Sequence, residues 1–167
     1  DYVYRLEESY QERRKSGDKE KAVALLRDLV EVSPQNEGYY LDLVNLLLQQ
    51  GNTEEAIQTA GVGVSRIPRS SALIIKKASI LAEEARYQEA MAFVKSRMRT
   101  NRDGHLVRFY NLLLAEAANA ARMNDPYVLY GKVYETSKSD EALDYMLNTA
   151  VTRGYNDDAL YYLAEAK

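Results

Sequence analysis

The amino-acid sequence predicts an all-α protein built from antiparallel helix pairs, and three observations support this fold class. Short segments recur with a period of 34 residues, so that Ala22, Ala56 and Ala90 are each 34 positions apart. Apolar residues within each unit recur at spacings of three and four, which is typical of an amphipathic helix. Glycine and proline separate these segments, and no alternating pattern predicts a strand.

The turns of the first two units follow a common pattern. Gly17 and Gly51 stand at the predicted ends of the first helices, where glycine adopts the left-handed conformation without steric cost. Asp18 follows Gly17 and is a preferred residue for capping the next helix. Pro34 and Pro68 stop the second helices, because proline lacks the amide hydrogen that a helix needs.

The later units depart from this pattern. The third unit has Arg102 where the first two have proline, and Lys77 at a position that is usually apolar. In the fourth unit, residues 105–122 predict one long helix, and Pro126 starts a short helix over residues 127–137. In the fifth, Ala159 lies 69 positions after Ala90, which is two periods plus one residue. We therefore expect the fourth unit to be irregular.

Composition limits the classes of function. The chain of 167 residues contains no Cys and one His, which excludes disulfides, thiol catalysis and histidine-rich metal sites. Its net charge of −3 argues against general binding of nucleic acid, and its apolar runs are too short to span a membrane. The length predicts one domain over residues 1–167. Because the chain starts at Asp1 and its last helix carries Leu160 and Leu163, we expect it to be a fragment of a longer protein.

The 34-residue helix–turn–helix unit resembles the tetratricopeptide repeat (TPR) family. Unit two carries the family pattern most fully. Its matching residues are Tyr40, Leu43, Leu47, Ala56, Ala60, Gly63 and Pro68. The resemblance implies a right-handed superhelical solenoid of about five units, with approximate bounds 3–36, 37–70, 71–103, 104–138 and 139–167.

The resemblance also implies a binding surface, because first helices of TPR solenoids form a concave wall that contacts the ligand. We expect the partner-binding groove to be formed by Tyr4, Gln11, Arg14, Leu41, Asn45, Leu48, Ile75, Ser79, Phe109 and Leu113. Asn45 is of special interest, because its amide can both donate to and accept from a peptide backbone. The alternative is that these residues pack against further helices of a longer solenoid.

A basic patch is predicted at the end of the third unit, where Arg97, Arg99 and Arg102 lie close in sequence. Cations at a helix C-terminus interact favourably with the helix dipole, and this explanation is sufficient by itself. The alternative is a binding surface for an acidic partner, an anionic glycan or a lipid surface. Nucleic acid is disfavoured, because aromatic residues do not alternate with the basic ones.

No catalytic or metal site is predicted, and no cofactor is implied. His105 lies at a predicted helix start, where we expect it to face solvent. Adjacent acids such as Glu54 and Glu55 point about 100° apart on a helix and do not converge. The leading hypothesis is therefore a non-enzymatic scaffold that binds a protein or peptide segment. The alternative is a TPR spacer or assembly subunit of a cell-envelope or exopolysaccharide-export system. Both the cytoplasm and the periplasm remain open as compartments.

Overall fold

A computed structural model describes all 167 residues and contains ten α-helices and no β-strand. The helices are α1 (Tyr2–Ser16), α2 (Lys19–Val32), α3 (Glu37–Gln49), α4 (Thr53–Arg66), α5 (Ser71–Glu83), α6 (Tyr87–Met98), α7 (Gly104–Met123), α8 (Pro126–Ser137), α9 (Asp140–Arg153) and α10 (Asn156–Glu165). The all-α class predicted from the sequence is confirmed. No helix combines the length and the apolar character needed to cross a membrane.

The chain forms two compact units, residues 1–114 and residues 115–167. In the first unit, each helix from α1 to α5 packs against the next helix in sequence, and the first helices α3 and α5 also contact each other. In the second unit, α8 packs on α9 and α9 on α10. Short turns between packed neighbours make them antiparallel pairs, as the repeat predicts.

Helix ends in the first unit are set by the residues that the sequence singled out. Gly17 and Gly51 adopt positive φ angles of 76° and 78°. The Asp18 carboxylate caps α2 by accepting a hydrogen bond from the Lys21 amide at 3.2 Å. Asn52 occupies the equivalent position before α4 but makes no side-chain capping bond. The predicted turn chemistry is therefore confirmed at both glycines and at Asp18.

The core of the first unit follows the three-and-four spacing of the apolar residues. The repeated alanines Ala22, Ala56 and Ala90 are buried, which lets paired helices approach closely. The largest fully buried side chains include two tyrosines, Tyr10 and Tyr40. The Tyr40 hydroxyl donates to the Pro34 carbonyl at 2.9 Å, so its polar end is satisfied within the core.

The irregular fourth unit has the predicted layout. Helix α7 is 20 residues long, and α8 begins at Pro126 and has 12 residues. Asp125 caps α8 by accepting a hydrogen bond from the Tyr127 amide at 3.0 Å. The long first helix and the short second helix predicted from residues 105–137 are therefore confirmed.

Candidate functional site

A groove of about 300 Å³ opens in the first unit between α1, the start of α2 and α3. Most of its polar side chains come from the two first helices. They are Tyr10, Arg13 and Arg14 from α1, and Asp42, Asn45 and Gln49 from α3, with Asp18 and Lys19 from the start of α2. Leu46 and Ala22 add an apolar part to the lining. The groove thus combines hydrogen-bonding, cationic and apolar groups, as a site for a polypeptide segment requires.

The base of the groove is fixed by a hydrogen bond between the two first helices. The Tyr10 hydroxyl donates to Asp42 Oδ2 at 2.7 Å. Burial, together with this bond to a carboxylate, raises the pKa of Tyr10 above its ordinary value of 10. Tyr10 therefore stays protonated at physiological pH and keeps α1 and α3 joined below the groove.

The rim of the groove is exposed and carries an excess of donors. Arg13, Arg14, Asn45 and Gln49 are all exposed. A guanidinium group offers paired donors to a carboxylate, and a side-chain amide pairs with a peptide group through both donor and acceptor. This rim can therefore recognise a backbone together with an acidic side chain.

The structure brings together only part of the predicted groove. Arg14 and Asn45 line the same depression. Gln11 lies beside it and donates to Glu7 Oε1 at 3.0 Å, so its amide is already engaged. Tyr4 is strongly exposed on α1, whereas Leu113 on α7 is only 1% exposed and offers no surface to a partner. Leu41, Leu48, Ile75, Ser79 and Phe109 are half-buried and lie outside this depression.

Sequence reasoning missed most of the lining residues, among them Tyr10, Asp42 and Arg13. Tyr10 and Asp42 are 32 positions apart, close to one repeat period, so their meeting follows from the stacking of equivalent helices. Several other bonds have nearly the same spacing, including those of Arg27 with Glu55 and Arg86 with Glu54. A search for complementary polar residues about one period apart would have found the pair.

The predicted basic patch is spread over two kinds of environment. Arg99 and Arg102 are exposed at the end of α6 and in the following turn. Arg97 is half-buried and folds back, so that its guanidinium carbon lies 5.4 Å from the centre of the Phe93 ring. Their role in binding an anionic partner stays a prediction.

Comparison with protein families gives a match, which covers part of the repeat region. Residues 13–74, which include α2, α3 and α4, match the family model described as tetratricopeptide repeat. This segment, 62 of the 167 residues, is similar to the tetratricopeptide repeat family. No curated protein sequence matches the chain.

Solved structures extend the TPR fold over most of the chain. A crystal structure of the MamA protein shares 16% identity and a TM-score of 0.55, covering 98% of this chain and 89% of its own. The TPR2B domain of yeast Sti1, in complex with pHsp70, shares 16% identity and a TM-score of 0.54, covering 71% and 97%. A TPR protein from Parabacteroides merdae shares 18% identity and a TM-score of 0.55, covering 98% and 66%. The TPR resemblance and the solenoid fold class predicted from the sequence are therefore confirmed.

Proposed function

We propose that this chain is a non-catalytic interaction scaffold that holds a polypeptide segment in the groove between α1 and α3. The observation that carries the proposal is the recessed lining, in which exposed amide and guanidinium groups surround a rigid Tyr10–Asp42 base. A TPR domain with the same fold, that of yeast Sti1, is in complex with pHsp70, which is consistent with this function.

The proposed occupant is an extended or helical segment with an acidic side chain. Arg13 and Arg14 stand at the C-terminal end of α1 and would pair with that carboxylate. Asn45 and Gln49 lie one helical turn apart on α3, so both amides face the same stretch of a bound backbone. Leu46 supplies apolar contact, so the segment is held by burial as well as by hydrogen bonds.

Affinity capture from the source organism's lysate tests the proposal, followed by measurement of Kd for the captured segment. The test variant Arg14→Gln/Asn45→Ala changes two exposed groups of the groove. The control variant Arg122→Gln/Asn119→Ala makes the same chemical changes at exposed positions outside it. We expect the groove variant to bind at least about tenfold more weakly, a loss of about 1.4 kcal/mol, and the control to match the wild type.

Helix content and thermal unfolding are measured for both variants, because the altered side chains are exposed and should leave the fold intact. A segment held equally by the wild type and the groove variant, with both folded, would contradict the proposed groove. That result would instead favour binding elsewhere on the chain, or the alternative of a spacer in a cell-envelope or exopolysaccharide-export assembly.

A further inference from the structure

Two cationic residues of the third unit occupy positions at which other units of the repeat have apolar or small residues. Lys77 lies 34 positions after Leu43 and 69 before Met146, and both of these side chains are buried. Arg97 lies 34 positions after Gly63, which is also buried. The third unit therefore carries a pair of cations where its neighbours form the contact between paired helices.

The two cations meet at one aromatic ring between α5 and α6. Lys77 Nζ lies 4.3 Å from the centre of the Phe93 ring, and the Arg97 guanidinium carbon lies 5.4 Å from it. Gly61 on α4 leaves room for the lysine, because a Cβ at that position would lie 3.1 Å from Nζ. Arg97 Nε is buried and has no hydrogen-bond partner. A buried donor without a partner is costly, so the Arg97 guanidinium group is incompletely paired.

The neighbouring carboxylates are engaged elsewhere. Arg86 donates to both oxygens of Glu89, at 3.1 and 2.7 Å, and also to Glu54 at 2.9 Å. Burial lowers the pKa of Lys77, and the positive charges of Arg97 and Arg86 lower it further, against an opposing effect of Glu89. The local field at Lys77 and Arg97 is thus positive, and it favours an added negative charge.

We propose that Lys77 and Arg97 form a binding site for an oxyanion, a carboxylate or phosphate group, at the edge of the Phe93 ring. The anion accepts a hydrogen bond from the accessible part of the Arg97 guanidinium group and pairs with the Lys77 ammonium group, which removes the repulsion between the two cations. None of the three side chains lines the groove between α1 and α3, so this site is separate from the proposed polypeptide groove.

Titration of the full chain with inorganic phosphate and, separately, with acetate tests the proposal by amide NMR shifts and thermal unfolding. Sodium chloride holds the ionic strength constant, because screening alone changes surface electrostatics. The test variants are Lys77→Leu and Arg97→Ala, which bring each position closer to its repeat equivalents. Lys95→Ala, which removes an exposed cation two residues from Arg97 and outside the predicted basic patch, is the matched control.

We expect at least one of the two anions to give saturable shifts at residues of α5 and α6 in the wild type. Its apparent Kd should rise at least tenfold in Lys77→Leu and in Arg97→Ala, and change less than twofold in Lys95→Ala. Tighter binding of phosphate would assign the site to a phosphate group, and tighter binding of acetate to a carboxylate.

The stability of the variants separates binding from a structural role. Lys77→Leu removes a half-buried cation, so its Tm without added anion should equal or exceed that of the wild type. A lower Tm would show that Lys77 stabilises the fold, and would overturn the proposal. The proposal would also fail if neither anion gave saturable shifts in the wild type, or if either test variant bound as tightly as the wild type.

Discussion

Gly63 shows how one missing side-chain atom sets the packing of a helix pair. A Cβ at this position would lie 2.9 Å from Leu73 Cδ1 and 3.0 Å from Tyr40 Cγ, and both neighbours are fully buried. A contact as short as that with Leu73 is essentially never found for a Cβ atom, and the contact with Tyr40 is tighter than nine in ten. The glycine therefore lets α4 approach α3 and α5 more closely than any other residue would.

We expect Gly63→Ala to destabilise the first unit by roughly 1–2 kcal/mol. Overpacking a well-packed core lowers the free energy of unfolding by about 1–3 kcal/mol. The better helix propensity of alanine offsets up to about 1 kcal/mol of this loss. Urea-induced unfolding followed by circular dichroism measures the change. Gly104→Ala is the control, because a Cβ there meets nothing within 4 Å. Equal stability of the two variants would disprove the close contact.

Arg97 is a residue whose environment was not predicted from the sequence. The cluster Arg97, Arg99 and Arg102 predicted three arginines acting together. In the structure, the Arg97 side chain instead lies against Phe93. Position 97 is equivalent to the buried Gly63 and therefore faces the contact between α5 and α6. Sequence proximity alone could not separate the three, but their registers in the 34-residue repeat could.

At the scale of elements, helix ends were predictable because few residues tolerate a left-handed backbone. Gly17, Gly51 and Gly154 all have positive φ angles and follow first helices of their units. The groove was predictable only in part, because its lining depends on how side chains of α1 and α3 meet. The Tyr10–Asp42 bond, which fixes the base, requires the contact between stacked units that only the structure shows.

The third unit keeps this turn without its glycine. Ala85 stands 34 positions after Gly51 and adopts a φ of 59°. Two equivalent hydrogen bonds close each turn. In the second unit, the Gly51 and Asn52 amides donate to the carbonyls of Leu48 and Leu47. In the third unit, the Ala85 amide and the amide after it donate to the carbonyls of Ala82 and Leu81, the equivalent positions. The fold thus forces a left-handed conformation on an alanine, and this conformation is strained.

We therefore expect Ala85→Gly to stabilise the first unit by about 0.5–1 kcal/mol. Left-handed alanine costs about 1–2 kcal/mol, and part of this gain is lost because glycine is more flexible in the unfolded chain. The reciprocal change Gly51→Ala, at the equivalent turn, should destabilise by a similar amount. Urea midpoints of the two variants and the wild type provide the measurement. If Ala85→Gly lowered the midpoint, the backbone strain assigned to Ala85 would be wrong.

At the scale of the whole molecule, three of the 14 tyrosines have the same role in the two compact units. Each is partly or fully buried and directs its hydroxyl group to a carboxylate about one repeat away. Tyr10 donates to Asp42 in the first unit, and Tyr127 and Tyr134 donate to Asp158 and Glu165 in the second. In each of these tyrosines the ring packs and the hydroxyl group forms a hydrogen bond, so the side chain connects consecutive repeats. The chain contains no tryptophan or cysteine that could do this.

These contacts make the protein sensitive to alkali. The hydrogen bond to Glu165 raises the pKa of Tyr134 to about 12, and burial together with the nearby Glu7 raises that of Tyr39 to about 12. Burial also raises the pKa values of Tyr10, Tyr127 and Tyr162 above 10. Above pH 10 the folded chain therefore holds more protons than the unfolded chain. Its stability is fully present below pH 10 and declines as the pH rises toward 12 and beyond.

We expect the tyrosinate absorbance of the native protein to rise in two phases. The late phase, from the tyrosines with raised pKa values, should coincide with loss of helical circular dichroism, because ionising them breaks the bonds that join consecutive units. In concentrated urea the same protein should titrate in a single phase near the ordinary pKa of 10. A native titration that superimposes on the urea curve would show that these hydroxyl groups are solvated, and that the carboxylate bonds do not hold the units together.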